Sequence, residues 1–421
     1  FSKFLNIYVD QSIGMPAIEV MIISSILKQN NEVYYTRNYK DEKILDCDYV
    51  IFPSSIIAHE TELSTLSKLE NKKIFVTGIF ANTFKEKYSK KNVVVVKNES
   101  DIFFYNLNKE GKLNKEFLDN LFLNKELINN FYSPVSLNDL PYPDWLSYSK
   151  KYVLRNNFFS LKEKIAVPIL ATRGCPYSCF FYCTYPLQQG RKVRARSVEN
   201  IIEEIKYWQK ELGTNKFVFR DPVFSINRKH TIEFCNEVIN QKLNITFMVE
   251  THLNNLDDEM IPLLKKAGLK LAYVGVESSS HFVLKDMKRF TVEHDKQFQV
   301  IKKCEDSGIK VKTMFIIGNP EDTKDTIIAS IEYAKYLPSL YSQFSVFTPY
   351  PGTPAYNEFK DIISETKLEN FNQYNLTFNH KNLSKEDISN LKSLAYFKYY
   401  FNFKKIFQIL KYSLKSKLYN I

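Results

Sequence analysis

Short apolar runs alternate with amphipathic stretches along most of this 421-residue chain. In the first third they predict strands at 5–10, 32–36, 48–53, 73–77 and 92–96, and helices at 16–29 and 60–70. Short strands separated by helices are typical of an open, mostly parallel sheet, whose ligands bind beyond the carboxyl ends of the strands. Those ends carry Pro53-Ser54-Ser55 and Thr77-Gly78 here.

A longer and more regular alternation begins near residue 165. It predicts six strands, at 165–172, 216–221, 244–251, 270–276, 310–317 and 341–348. The helices predicted between them are 197–212, 230–242, 257–267, 292–307 and 323–336. Six parallel strands joined by right-handed helical crossovers predict an incomplete barrel, with functional residues at the carboxyl ends of the strands.

The chain is therefore predicted to be an α/β protein of four parts. They are a sheet domain at 1–130, a linker at 131–164, a partial (β/α)6 barrel at 165–360 and a basic, mainly helical extension at 361–421. Hydrophobic residues make up 44% and charged residues 25% of the chain, which excludes a disordered or collagen-like protein. We expect a cytoplasmic protein, because no apolar run is long enough for a membrane helix and no signal peptide is recognisable.

Most of the formal net charge of +11 belongs to the end of the chain, where seven Lys and no acidic residue follow Asp387. Nine aromatic residues lie in the same stretch, and Ile406, Leu410, Leu414 and Leu418 give one helix face an apolar character. The pattern fits a helix packed on the barrel with solvated lysines, or a helix lying on a membrane surface near a lipid-linked substrate. Nucleic-acid contact is less expected, because the charge is carried by Lys and no nucleic-acid-binding module is evident.

Three of the six cysteines, Cys175, Cys179 and Cys183, fall within nine residues directly after the first barrel strand. Three thiolates on one loop can ligate three irons of a [4Fe-4S] cluster and leave the fourth iron open. Zinc is the competing metal, but a structural zinc site needs four ligands, and the nearest histidine in sequence is His230. The third reading is that these are buried structural cysteines.

The run Arg173-Gly-Cys175-Pro-Tyr-Ser-Cys179-Phe-Phe-Tyr-Cys183 resembles the cluster loop of radical S-adenosylmethionine (SAM) enzymes, particularly of their cobalamin-binding branch. That family separates its cysteines by three and two residues, whereas this chain has three and three, so the extra residue must be looped within 180–182. The resemblance implies that the three cysteines hold the cluster and that SAM chelates the open iron through its amino and carboxylate groups. It also implies that Tyr182 lies near the adenine.

The same resemblance assigns SAM contacts to the ends of the other barrel strands. The implied positions are Asp221 at the SAM amino group, Glu250 in a Glu-Thr-His run where the branch often has Glu-Thr-Arg, Glu277 and Ser278 at the ribose and carboxylate, and Ile316 and Gly318 beside the adenine. Structural alternatives remain for three positions. They are Asp221 as a helix cap, His252 as a satisfied loop histidine, and Glu277 as a buried carboxylate paired with Arg220 or a Lys.

For residues 1–130 the resemblance implies a Rossmann-like domain of the cobalamin-binding type, with Pro53-Ser54-Ser55 lining the corrin side. The Asp-x-His-x-x-Gly loop that ligates cobalt in many cobalamin proteins is absent, because no His precedes His59. Where the family has a pair of Gly residues, this chain has Gly78-Ile79. Where the family has a Gly-Glu-x-Glu turn, this chain has the residues at 98–101. The alternative is a sheet that serves only as a scaffold or substrate platform.

Together these resemblances imply a cobalamin-dependent radical SAM enzyme. Reductive cleavage of SAM would give a 5′-deoxyadenosyl radical that abstracts hydrogen from an unactivated carbon, which cobalamin then methylates. We expect a small-molecule or lipid-linked substrate and an external reductant such as a flavodoxin or ferredoxin. The alternatives are a radical SAM enzyme without cobalamin that carries out cyclisation or rearrangement, and a catalytically inert binding protein with the same fold.

Overall fold

The computed structural model describes residues 17–36, 40, 42–97, 99–151, 166–290 and 292–418. Two parallel sheets organise these residues, and helices connect the strands of each. The α/β fold, with an N-terminal Rossmann-like sheet, a partial barrel and a C-terminal helical extension, is therefore confirmed. The strand predicted at 5–10 lies outside the described residues.

The N-terminal sheet has three parallel strands in the order β1 (Tyr49–Pro53), β2 (Lys73–Thr77) and β3 (Val93–Val95). Its helices are α1 (Ile18–Leu27), α2 (Glu42–Asp46), α3 (His59–Lys68), α4 (Ile79–Thr83), α5 (Ser100–Lys109) and α6 (Lys115–Leu123). Phe75 of the central strand packs with Ile22 of α1 and Phe103 of α5 in one apolar core. This core fixes the sheet between its helices and leaves the carboxyl ends of the strands for the loops.

One sequence expectation is wrong in this region, and one helix was not predicted. Residues 32–36 form no strand, because Tyr35 turns its hydroxyl to Ser24 and to Asp144, which is 2.7 Å away. The helix α5 lies in a stretch whose periodicity was too weak to predict it. It buries seven of its ten residues, polar ones included, so no regular polar face marks it in the sequence.

The stretch predicted as a linker contains a helix, α7 (Trp145–Lys151), and two anchoring side chains. Trp145 is fully buried in the barrel core and donates from Nε1 to the Pro168 carbonyl oxygen at 3.2 Å. Its neighbour Asp144 accepts a hydrogen bond from Ser24 at 2.9 Å and pairs with Lys28 at 2.5 Å, both near α1. Residues 144 and 145 therefore fasten the N-terminal part to the barrel and are not a free spacer.

The second sheet contains six parallel strands that pair in chain order, as predicted. They are β4 (Val167–Ile169), β7 (Lys216–Phe219), β8 (Thr246–Thr251), β9 (Leu269–Glu277), β10 (Lys310–Ile317) and β11 (Tyr341–Val346), with a small antiparallel pair, β5 (Thr172–Arg173) and β6 (Arg194–Ala195), after β4. The helices are α8 (Tyr185–Gln189), α9 (Val198–Leu212), α10 (Arg228–Asn240), α11 (Met260–Ala267), α12 (His281–Asp286), α13 (His294–Asp306), α14 (Lys324–Tyr336) and α15 (Pro354–Phe359). Because β4 and β11 are the two ends of this sheet, the barrel is incomplete.

The free edge of β11 is covered by α16 (Lys385–Tyr400), which α17 (Phe403–Leu418) follows. Tyr400 accepts a hydrogen bond from the Ser342 N–H at 3.0 Å and donates to the Ser342 carbonyl at 2.7 Å. Tyr396 does the same with the N–H and carbonyl of Phe344, at 3.2 and 3.3 Å. The rise of one helical turn, about 5.4 Å, is close to the length of two strand residues, about 6.6 Å. The two hydroxyls can therefore form the hydrogen bonds that a neighbouring strand would form with β11.

Candidate active site

The cysteine loop leaves the carboxyl end of β4 and is fastened before its first cysteine. Gly174 has a φ of +88°, and a Cβ there would lie 2.1 Å from the Lys192 carbonyl oxygen. Only glycine combines this conformation with so close an approach. The Cys175 N–H then donates to the Gly190 carbonyl at 3.2 Å. The start of the loop is thus fixed by backbone contacts.

A helical turn accommodates the unusual spacing of the last two cysteines. Ser178–Phe181 is a 3-10 turn, and the Cys183 N–H donates to the Cys179 carbonyl at 3.0 Å. The residues at 180–182 lie within this turn. This turn brings the two thiols close enough for the charge of Cys179 to raise the pKa of Cys183.

All three thiols are free, and they lie close enough to influence one another. Burial raises the pKa of each thiol, that of Cys183 to about 12, and the charge of Cys179 further raises the pKa of Cys175 and Cys183. Within the described residues, no group of three or more His, Cys, Asp or Glu side chains is arranged to hold a single metal ion. The thiolates of a [4Fe-4S] cluster bind different irons and stand further apart than the ligands of one ion.

A buried arginine beside this loop is a site residue that the sequence analysis missed. Arg289 Nη2 lies 3.5 Å from Glu277 Oε1 and 3.2 Å from the Gly275 carbonyl, and its guanidinium hydrogen-bonds the Cys179 sulfur. A Cβ on Gly275 would lie 2.2 Å from Glu277 Oε1 and 2.8 Å from Arg289 Nη2, so this glycine makes room for the ion pair. The expected partner of a buried Glu277 was Arg220 or a Lys, and the structure supplies Arg289 instead.

Glu277 also carries backbone strain at the end of β9. Its φ of +67° lies in the left-handed region, which a residue with a side chain adopts at a cost of about 1–2 kcal/mol. Burial raises the pKa of its carboxyl, and the neighbouring Arg289 opposes that rise. The turn aims a carboxylate at the cysteine loop.

His252 lies near Arg289 and near the start of the cysteine loop. Burial, with a smaller contribution from Arg289, lowers the pKa of the imidazole to about 4. Its Nδ1 accepts a hydrogen bond from the Asn254 N–H at 3.3 Å, and its ring centre lies 5.4 Å from that of Tyr177. The ring is therefore neutral near neutral pH and has one nitrogen engaged within its own loop.

Two other predicted site residues are Tyr182, within the loop, and Glu250, near the end of β8. The buried Tyr182 ring packs against Phe347, with 6.1 Å between ring centres, and burial raises the pKa of its hydroxyl well above the ordinary value. Glu250 accepts a hydrogen bond from the Tyr185 hydroxyl at 3.3 Å and lies 3.6 Å from an Arg220 nitrogen. The Glu250 carboxylate thus links strand β8 to the helix that follows the cysteines.

Two residues that were predicted to contact SAM, Asp221 and Ser278, make hydrogen bonds within the protein. Asp221 is fully buried, and its carboxylate accepts hydrogen bonds from the Ala171 N–H at 3.2 Å, the Thr172 hydroxyl at 2.6 Å and the Thr172 N–H. It therefore holds the strand that leads into the cysteine loop, and it does not cap the next helix, whose N-cap is Asn227. Ser278 is also buried, and its hydroxyl faces Ser330 of α14 at 3.3 Å.

The predicted adenine positions, Ile316 and Gly318, lie at the end of β10 and are backed by the C-terminal extension. Gly318 has a φ of +72°, and a Cβ there would lie 2.9 Å from Ile388 of α16. The Asn319 carbonyl that follows is 2.7 Å from His380 Nε2. The positive φ angle and the close approach of Ile388 from the extension explain why position 318 is a glycine.

At the carboxyl edge of the N-terminal sheet, Ser54 and Ser55 are engaged within the fold. The Ser54 hydroxyl accepts a hydrogen bond from the first turn of α4 at 3.1 Å, and the Ser55 N–H donates to the Glu62 carboxylate at 2.8 and 3.0 Å. Gly78 has a φ of +103°, and a Cβ there would lie 2.8 Å from the Ser54 carbonyl oxygen. Pro53 ends β1 and is exposed. The edge is thus built of small residues packed closely together.

A buried ion network joins the N-terminal sheet to the cysteine loop. Arg173, two residues before Cys175, lies 3.0 Å from Glu99 and donates to Asp101 from both of its terminal nitrogens, one of them at 3.1 Å. Arg194 reaches the same Glu99 oxygen at 2.9 Å. The side chains of Arg173 and Asp101 are 5% and 0% exposed. Glu99 and Asp101 are therefore tied to the strand that leads into the cysteine loop.

Comparisons with known proteins agree with this arrangement. Residues 169–334 match the sequence model of the radical SAM superfamily. An uncharacterized methyltransferase of Pyrococcus horikoshii is 29% identical over 234 residues, which are 55% of this chain and 50% of the relative. A bacteriochlorophyllide d C-12(1)-methyltransferase of Chlorobaculum tepidum is 28% identical over 55% of this chain and 51% of its own length. The chain thus spans about half the length of the curated relatives that it matches.

A third relative is named a cyclase. The anaerobic magnesium-protoporphyrin IX monomethyl ester cyclase of Rubrivivax gelatinosus is 28% identical over 57% of this chain and 42% of its own length. The methyltransferases and the cyclase therefore resemble about the same share of this chain, so sequence similarity alone does not choose between their reactions.

Two solved structures share the fold. The radical SAM methyltransferase TsrM from Kitasatospora setae, bound to tryptophan and a SAM analogue, aligns with a TM-score of 0.63 over 82% of this chain and 73% of its own, at 15% identity. The cobalamin-dependent SAM radical enzyme OxsB, bound to aqua-cobalamin and SAM, aligns with a TM-score of 0.60 over 84% of this chain and 53% of its own, at 16% identity. At these identities the likeness concerns the fold, and it extends well beyond the barrel.

Proposed function

We propose, from the radical SAM domain at residues 169–334, that this protein is an enzyme that cleaves SAM reductively at a [4Fe-4S] cluster. Cys175, Cys179 and Cys183 would hold the cluster and leave one iron for SAM. The observation that carries the proposal is the placement of three free thiols on one loop at the carboxyl end of β4, beside a buried arginine. When bound, the cluster and SAM supply radical chemistry at an unactivated carbon.

The residues around the loop suit the charged end of SAM. Arg289 is a buried cation next to Cys179 and offers two-point contact to a carboxylate. Glu277, which forms an ion pair with Arg289, offers a carboxylate to an ammonium group. Because both groups are buried, their attraction for a charged ligand is weakened less by water than it would be at the surface. The buried Tyr182 ring supplies an apolar wall that helps to exclude water.

We further propose that cobalamin binds at the carboxyl edge of the N-terminal sheet and that the enzyme methylates an unactivated carbon. The names of the methyltransferase relatives and the cobalamin in OxsB support this. The small residues of the edge, Ser54 and Gly78 among them, suit the close approach of a large flat group. The edge also meets the barrel, because a Cβ on Gly352 after β11 would lie 3.0 Å from Thr83 of α4. When bound there, cobalamin supplies a methyl carrier.

A radical SAM enzyme without cobalamin that carries out cyclisation or rearrangement is the second candidate. The internal hydrogen bonds of Ser54 and Ser55 and the cyclase relative favour it. Anaerobic purification with cobalamin supplied separates the two candidates. Retention of about one cobalamin per chain supports the first, and a full cluster without cobalamin supports the second. Either reaction needs a small-molecule substrate and an external one-electron donor such as a flavodoxin or ferredoxin.

Anaerobic reconstitution with iron and sulfide tests the cluster assignment. We expect about four irons per chain in the wild type and loss of most of this iron in Cys179→Ala. Cys47→Ala, at a half-buried thiol after α2, is the matched control and should keep the full amount. Reduced protein incubated with SAM should release 5′-deoxyadenosine wherever the cluster forms. A folded wild type that takes up no iron, or a Cys179→Ala variant that keeps all of it, contradicts the proposal.

A further inference from the structure

The last described helix, α17, is docked with a lysine facing inward. Lys405 is 7% exposed, donates to the Ser339 carbonyl at 2.5 Å and has its ammonium 4.7 Å from the centre of the Tyr399 ring. Two phenylalanines of the same helix point outward instead, with Phe403 94% and Phe407 67% exposed. Phe403 and Phe407 therefore face away from the barrel, whereas Lys405 faces it.

The outward residues form an apolar surface that we name the C-terminal stripe. It consists of Phe397, Phe401, Phe403, Ile406, Phe407 and Leu410, which are between 39% and 94% exposed. The residues at 403, 406, 407 and 410 follow the spacing of a single helix face. Single exposed apolar side chains are ordinary, but a group of six close together in the chain marks an interaction surface.

Positive charge accompanies the stripe. Lys411 is exposed next to Leu410. No acidic residue follows Asp387, whereas seven Lys do. A partner of this surface must therefore combine an apolar layer with negative charge.

We propose that the C-terminal stripe binds the anionic surface of a phospholipid membrane. Aromatic and aliphatic side chains enter the boundary between headgroups and acyl chains, while Lys411 contacts phosphates. A second copy of the chain would bring two sets of lysines together, and a nucleic acid would leave the exposed apolar side chains of the stripe without a partner. Among the described helices, none is both long and apolar enough to cross a membrane, so the contact is peripheral. The proposal does not depend on the reaction that the barrel catalyses.

Flotation of the full chain with vesicles of phosphatidylcholine, with and without phosphatidylglycerol, tests the proposal. We expect binding that increases with phosphatidylglycerol and weakens with added salt. The double variant Phe403→Ser/Phe407→Ser should partition onto anionic vesicles roughly tenfold or more weakly. Phe282→Ser, at a side chain 63% exposed on α12, is the matched control and should bind as the wild type does. Lys411→Glu should weaken binding to anionic vesicles only.

Three results would overturn the proposal. One is a wild-type chain that binds neither kind of vesicle. Another is equal binding by the double variant and by Phe282→Ser. The third is a concentration-dependent dimer in light scattering that the double variant abolishes while no vesicle binding is seen, since the stripe would then join two copies. Circular dichroism confirms that the variants are folded, as expected for substitutions at exposed positions.

Discussion

At the scale of single residues, burial decides the charge of the groups around the cysteine loop. The Cys183 thiol, with a pKa of about 12, and the His252 imidazole, with a pKa of about 4, are both neutral near neutral pH. Their charged forms are poorly solvated in this environment. Metal binding must therefore displace protons from the thiols, and its affinity should rise with pH.

The neutral His252 makes the stability of the metal-free protein depend on pH. Its folded pKa of about 4 lies below the ordinary value of 6.5, so its contribution is complete above about pH 6.5 and is lost as the pH falls toward 4. Between pH 7 and pH 5, wild type should lose about 2 kcal/mol more unfolding free energy than His252→Gln. Urea denaturation at the two pH values measures the difference. Equal losses in both proteins would show that the imidazole is not held neutral.

At the scale of elements, the loop that follows β4 is fixed by a close approach between backbone atoms. Gly174 and Gly190 both have positive φ angles, +88° and +76°, but only Gly174 faces another backbone atom. A Cβ on Gly190 would meet nothing within 4 Å. A substitution at Gly190 therefore measures the cost of backbone strain alone, whereas a substitution at Gly174 adds the cost of a collision.

Alanine at each of these glycines tests how tightly the cysteine loop is fixed. Gly190→Ala should keep iron uptake and cost only backbone strain, about 1–3 kcal/mol, because its φ of +76° and ψ of −178° lie in a region that glycine almost alone adopts. Gly174→Ala should cost more and lose most iron uptake, because the Lys192 carbonyl must move away. Urea denaturation and iron content after reconstitution measure both effects. If the two variants behave alike, the collision at Gly174 is relieved without moving the cysteines.

At the scale of the whole molecule, a buried salt bridge connects the two sheets. Arg173 and Asp101 are almost fully buried, whereas Arg228 pairs with Asp257 and Glu259 at the surface. Both arginines bind two carboxylates, but only the first would leave a buried charge behind when it is removed. The buried network therefore governs how firmly the N-terminal sheet holds the cysteine loop.

Substitution of these arginines by methionine compares the two networks. Arg173→Met should lower the unfolding free energy by about 3–5 kcal/mol, whereas Arg228→Met should cost less than about 1 kcal/mol. Adding Asp101→Leu to Arg173→Met should recover part of the loss, because no unpaired buried carboxylate remains at that position. Urea denaturation measures all three proteins. Equal losses for the two single variants would mean that water reaches Asp101.

Local patterns explain why some of this structure was predictable. The strands at 73–77 and 310–317 have the predicted bounds because buried apolar runs mark them, and the three cysteines stand out because they lie on one loop. Arg289 was missed because it reaches the cysteines from the loop after α12, and no spacing in sequence records that approach. The orientation of Ser278 depends in the same way on α14. For α17 the sequence shows which side is apolar, but the pocket for Lys405 decides which side faces the barrel.

The Tyr396 and Tyr400 hydroxyls on α16 also affect the association of separate molecules. An unpaired strand edge is a template to which a strand of another chain can add, and repeated addition leads to aggregates. Tyr396 and Tyr400 already occupy the N–H and carbonyl groups of Phe344 and Ser342, so this template is blocked. The C-terminal extension therefore protects the colloidal stability of the barrel. A chain shortened before residue 385 would expose that edge and should aggregate.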